Sequence, residues 1–121
     1  MGKFLDEVLE LSTEYINAKS IIVSNIIKDI NKQIKNCAKN GFTAINIKFS
    51  DNKIPVLNIK EINDTYVIEM KYKNDKDIIS KIIQYYKKEG FFVSDNFDKI
   101  SWYNVFYKYL KSKQEGDLYN E

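Results

Sequence analysis

The first 39 residues contain no proline and one glycine, Gly2, and their apolar side chains recur at helical spacing with no break in phase. Phe4, Leu5, Val8, Leu11, Tyr15, Ile22, Val23, Ile26, Ile27, Ile30, Ile34 and Cys37, advanced by about 100° per residue, fall within one arc of roughly 160°. Such a segment is one helix or two collinear ones. The acids Asp6, Glu7, Glu10 and Glu14 crowd its first half and lysines its last turns, a polarity that complements the helix macrodipole. A rod of ~36 residues measures ~54 Å, whereas a compact domain of this length is ~35 Å across. Two arrangements resolve the mismatch: the helix breaks near Asn17-Ala18-Lys19-Ser20, or it projects and pairs with another chain. Lys19 falls in the apolar arc and Ile21 on the polar side, so Ile21-Ile22-Val23 is apolar all round. Tyr15, Ile21, Ile22 and Val23 are therefore the expected self-association residues.

After Asn40, Gly41 is placed as a left-handed helix cap. Residues 42–49 alternate Thr43, Ile45, Ile47, Phe49 against Ala44, Asn46, Lys48, the pattern of a half-buried strand. Strands are also predicted over 56–62 and 65–73, around Asn63-Asp64, which makes a three-stranded antiparallel meander with Pro55 at its edge. Asn74-Asp75 caps a second helix with the stripe Ile78, Ile79, Ile82, Ile83, Tyr86, and Gly90 stops it. A short hairpin over 91–94 and 98–102 turns at Asp95-Asn96-Phe97. From Trp102 the spacing of Val105, Phe106, Tyr109 and Leu110 is helical, and residues 114–121 form a polar, frayed tail. The expectation is a single α+β domain with a long N-terminal helix, an antiparallel sheet of about four to five short strands and two further helices packed on it, dimerising through the first helix. Ile30-x-Lys32-x-Ile34 leads to Gly41-Phe42 as Ile79-x-Lys81-x-Ile83 leads to Gly90-Phe91, which reads as two helices obeying one capping rule.

Every one of the 19 basic residues is lysine, and histidine is absent. The usual proton shuttle and metal ligand is therefore missing, as is the rigid fork with which arginine grips phosphate and carboxylate. The single cysteine, Cys37, lies on the apolar arc and reads as a packing residue. Ser24, Ser80 and Ser101 have no histidine partner, the four glycines form no phosphate loop, and Asp95 with Asp98 matches no calcium-loop spacing. No enzyme, metal or cofactor is expected. The start Met1-Gly2-Lys3-Phe4-Leu5-Asp6-Glu7 resembles neither a signal peptide nor a membrane anchor, and Asn63-Asp64-Thr65 reads as a turn, so a reducing cytoplasm is expected.

The net charge of +2 is unevenly spread. Residues 1–17 hold one lysine against four acids, a net −3, and residues 18–60 hold eight lysines against two acids, a net +6. Within the second block Lys28, Lys32, Lys35 and Lys39 share one helix face within roughly 60°. That stripe fits a solvated helix face, a protein partner, or the phosphates of nucleic acid. Aromatic residues concentrate between Tyr85 and Tyr109. With Trp102, Phe106 and Tyr109 inward on the last helix, Tyr103 and Tyr107 become outward neighbours beside Lys108 and Lys111, a surface for a protein or for base stacking.

Ile, Lys, Asn, Tyr and Phe are abundant and arginine is absent, a bias that matches AT-rich codons. Ala38-Lys39-Asn40-Gly41-Phe42 running into Ile45-x-Ile47, then Gly90-Phe91-x-Val93 and Ile100-Ser101-Trp102, resembles small accessory proteins encoded by phages and prophages of low-GC Gram-positive bacteria. The resemblance covers about half the chain and implies a provenance, since such proteins range from host-defence inhibitors to virion parts. With histidine and arginine both missing, the expectation is a non-catalytic protein of this type that inhibits a host defence factor by binding it, or by sequestering its small ligand, through the aromatic C-terminal quarter and the lysine stripe. The alternatives are a nucleic-acid-binding module using the lysine stripe with Tyr103 or Tyr107, and a virion or assembly component.

Overall fold

The computed structural model describes residues 2–51 and 64–119, with side chains up to Gln114. The apolar phase of the first segment forms one helix, α1 (Lys3–Lys39), unbroken at Lys19. It projects: residues 2–18 are all exposed, whereas Val23, Ile26, Ile30, Ile34 and Cys37 enter the core. At its end Gly41 adopts φ 87°, and the amides of Gly41 and Phe42 donate to the carbonyls of Ala38 and Cys37, which satisfies two otherwise orphaned acceptors.

The chain continues through β1 (Ala44–Phe49), β2 (Thr65–Ile68), a 3-10 turn (Met70–Tyr72), α2 (Lys76–Glu89), β3 (Phe92–Val93), β4 (Lys99–Ser101) and α3 (Tyr103–Tyr119). The strands form one sheet in the order β2-β1-β4-β3. β4 pairs antiparallel with both β1 and β3, as the hairpin signal requires. β1 and β2, however, pair parallel, with Asn46 opposite Thr65 and Phe49 opposite Ile68, so the sheet is mixed and not the antiparallel meander expected. Alternation dictates which side chains face inward and is indifferent to the direction of the neighbouring strand. The strand expected over 56–62, with Pro55, lies outside the described residues. The strand expected over 65–73 stops at Ile68, because the chain winds into the 3-10 turn, whose Met70 amide donates to the Asp51 carboxylate at 3.3 Å.

Ile45, Ile47, Ile68, Val93 and Ile100 of the sheet share one core with the buried face of α1 and with Ile78, Ile82 and Tyr86 of α2. Asp75 caps α2 by accepting the Ile78 amide at 3.2 Å, and Gly90 closes it at φ 102° with the same carbonyl-satisfying pattern seen at Gly41. Lys19, which breaks the apolar pattern of α1, sits where the body begins. Its ammonium lies 3.2 Å from Asp75 and 3.3 Å from Asp77, and 4.7 Å from the centre of the Tyr15 ring. The Tyr15 hydroxyl first, then Asp75 and Asp77, hold it protonated above the ordinary lysine range despite desolvation.

Phe97 turns the hairpin in the left-handed region at φ 53°, unusual for a bulky residue, and its buried ring packs edge-on to Phe49 at 6.4 Å. The Ser94 hydroxyl accepts the amides of Asp98 and Lys99, both at 2.9 Å, and donates to Asp98 Oδ1 at 2.6 Å. That bond, with a second from the Asn96 amide, holds the Asp98 carboxyl below its usual range. α2 packs on the sheet as expected, but α3 does not. Trp102, just before it, is half-buried and edge-on to Phe91 at 6.1 Å, and every residue from 103 to 114 is exposed. Phe106 and Tyr109, expected to face inward, are therefore uncovered, and the helix runs on to Tyr119, past residue 114 where fraying was expected.

Candidate functional site

The expected binding residues fall on two separate helices. On α3, Tyr103 and Tyr107 are stacked with ring centres 6.5 Å apart, and with Asn104 and Lys108 they line a shallow groove on the helix surface. This is the neighbour relation expected from a step of four. Val105, Phe106, Tyr109 and Leu110 are exposed around the rest of the helix, with Lys108 and Lys111 between them. Lys113 lies over the Tyr109 ring at 5.1 Å. The fold thus presents a helix with apolar side chains on most of its circumference and cations interspersed.

On α1, Lys28, Lys32, Lys35 and Lys39 are exposed along the side facing away from the core, a row spanning about 16 Å. Among the described residues none of the four forms an ion pair. The expected binding surface is thus divided between α1 and α3, and the groove at Tyr103 and Tyr107 is lined by α3 residues. The expected self-association residues also separate. Val23 is a core side chain, which withdraws it from a second chain, whereas Ile22 is half-buried beside the core and Ile21 and Tyr15 remain exposed.

A third feature was not read from the sequence. Between α1 and the β2 edge lies a groove of about 510 Å³ lined by Ile22, Asp29, Asp51, Tyr66, Glu69 and Tyr72 among others. The Tyr66 hydroxyl donates to Asp29 at 3.4 Å, and burial, then the Asp29 charge, push its phenol up to about 12. Among the described residues three carboxylates and no lysine line this groove, so it suits a cationic or hydrogen-bond-donating group. Its residues come from separate segments with no local motif, and the one available signal was the alternation that put Tyr66 on the same strand face as Ile68.

Cys37 is fully buried and desolvation pushes its thiol up, which suits packing and disfavours the nucleophilic thiolate. No group of His, Cys, Asp and Glu among the described residues is arranged to hold a metal ion. No helix among them is long and apolar enough to cross a membrane. Comparison with protein-family models, with curated proteins and with solved structures found no match to this chain.

Proposed function

We propose that this chain is a non-catalytic binding protein that acts by occupying another protein through α3. The observation that carries this reading is a helix lying outside the core with Phe106, Tyr107, Tyr109 and Leu110 uncovered between lysines. Contiguous apolar surface of this kind marks interaction sites, and aromatic side chains dominate the energetics of protein interfaces. The resemblance to phage accessory proteins supplies the class of partner, a host defence factor in the bacterial cytoplasm that is inhibited by being covered. A photo-reactive amino acid placed at Tyr107 in a bacterial host tests this. The expected result is a discrete adduct with one host protein, lost when Tyr103→Ser and Lys111→Glu are added. Adducts with the chain itself alone, or none, would refute the reading.

A second reading rests on the exposed lysine row of α1 and the stacked Tyr103 and Tyr107, which suit the backbone and bases of a single-stranded nucleic acid. Four phosphate contacts give a log–log salt slope of about −3 for a single strand. Fluorescence anisotropy with a labelled oligonucleotide measures it, and absence of binding at low salt removes this reading. Sequestration of a small ligand would use the groove beside Tyr66, and isothermal titration of Tyr66→Ala against wild type separates that case.

A further inference from the structure

The exposed half of α1 overhangs the body by about 24 Å. Its apolar stripe keeps the phase of the core-facing residues and is left uncovered, with Phe4 79% and Tyr15 60% exposed. A helix of this length is marginal in water on its own. The seven large apolar side chains on the stripe present on the order of 700 Å² per chain, close to the ~800 Å² per partner of a standard interface.

The order of these side chains indicates what covers them. Reversing the segment about Glu10 maps its stripe onto itself: Phe4 onto Ile16, Leu5 onto Tyr15, Val8 onto Ser12 and Leu9 onto Leu11. An interface with a two-fold axis has to be self-complementary in this way. Ser12 carries no unsatisfied polar group into such a seam, because its hydroxyl donates to the Val8 carbonyl at 2.8 Å. Asp6, Glu7, Glu10 and Glu14 all lie on the polar side of the helix, so joining two stripes face to face sets no carboxylate against another.

We propose that the overhanging halves of α1 from two copies of this chain pair antiparallel about a two-fold axis at Glu10, each covering the other's stripe. No α3 side chain takes part, so failure of this pairing leaves the α3 reading untouched, and the reverse holds too.

Light scattering on a size-exclusion column is expected to give twice the 14.3 kDa of the chain. Leu9→Glu with Leu11→Glu is expected to halve that mass and leave cooperative thermal unfolding, because both residues lie outside the core. Val8→Cys and Ser12→Cys proteins, mixed and oxidised, are expected to form the mixed disulfide dimer while neither cross-links alone. Cys37, being buried, does not compete. A wild-type monomer, a dimer that survives the paired substitution, or a Val8→Cys protein that cross-links to itself would each overturn the proposal.

Discussion

The hydroxyl of Tyr86, on α2, donates to Asn31 Oδ1 of α1 at 2.8 Å, with the Ile27 carbonyl as a second acceptor at 3.2 Å. The Tyr86 side chain is fully buried, so this is where the two helices satisfy a polar group inside the core. Tyr86→Phe is expected to lower stability by about 1–3 kcal/mol, because it leaves Asn31 without its strongest partner. Denaturant unfolding checks this. Asn31→Leu in the Tyr86→Phe background should recover part of the loss, since removing both polar groups costs less than removing one.

Alkaline stability follows from the same residue and from Tyr66. Burial raises both phenols above the ordinary tyrosine value, Tyr66 to about 12. A raised folded value means that the neutral form is favoured by folding, so the contribution is whole below pH ~10 and is lost as pH rises through the folded value. Tyrosinate absorbance against pH should show two phenols titrating late, together with unfolding. Tyr66→Phe and Tyr86→Phe should each move the alkaline unfolding midpoint upward relative to the same variant's stability at neutral pH.

The acid limb reports on α2's first turn. The Ile78 amide, and then Lys19, hold the Asp75 carboxyl below its ordinary value. A depressed folded value means stability that is present above pH ~3.9 and lost as pH falls through the folded value. Melting temperature against pH should therefore fall less steeply on acidification for Asp75→Asn than for wild type. Lys19→Met should flatten it by a smaller amount, the Ile78 amide being the larger cause.

Gly41 and Gly90 hold φ values of 87° and 102°, and a Cβ at either position would meet nothing within 4 Å. The penalty for Gly41→Ala and for Gly90→Ala is then one of backbone conformation alone, about 1–2 kcal/mol each. The two caps close different helices, so the double variant should lose the sum within a few tenths of a kcal/mol. Thermal or chemical unfolding of the three variants measures this, and a loss well above the sum would mean that the caps are coupled.

Features written in local order were legible in the sequence. The phase of α1, both glycine caps, Asp75 at the start of α2, and the hairpin around Phe97 each depend on residues a few positions apart. Features that depend on distant neighbours were not. The parallel pairing of Asn46 with Thr65 leaves alternation unchanged, and so does its antiparallel counterpart. Lys19 stood out as a fault in the apolar phase, but its partners Asp75 and Asp77 lie more than fifty residues away. In α3 the apolar residues circle too much of the helix for any one face to be chosen, and the expected inward face of Phe106 and Tyr109 is open to solvent. The groove beside Tyr66 draws on α1, the end of β1 and the β2 edge, and no spacing along the chain encodes that meeting.

One consequence of α1 being continuous concerns the order in which its turns form. The costly step in helix formation is the first turn, and residues anchored in the core, from Val23 to Cys37, supply it as the body folds. Each turn added toward Phe4 is then propagation at nearly neutral free energy. The overhang meets any partner as a ready-made rod, and ordering it adds little to the cost of association. Trimming it from the tip should subtract helix one turn at a time, as though shortening a lever while its fulcrum at Lys19 stays in place.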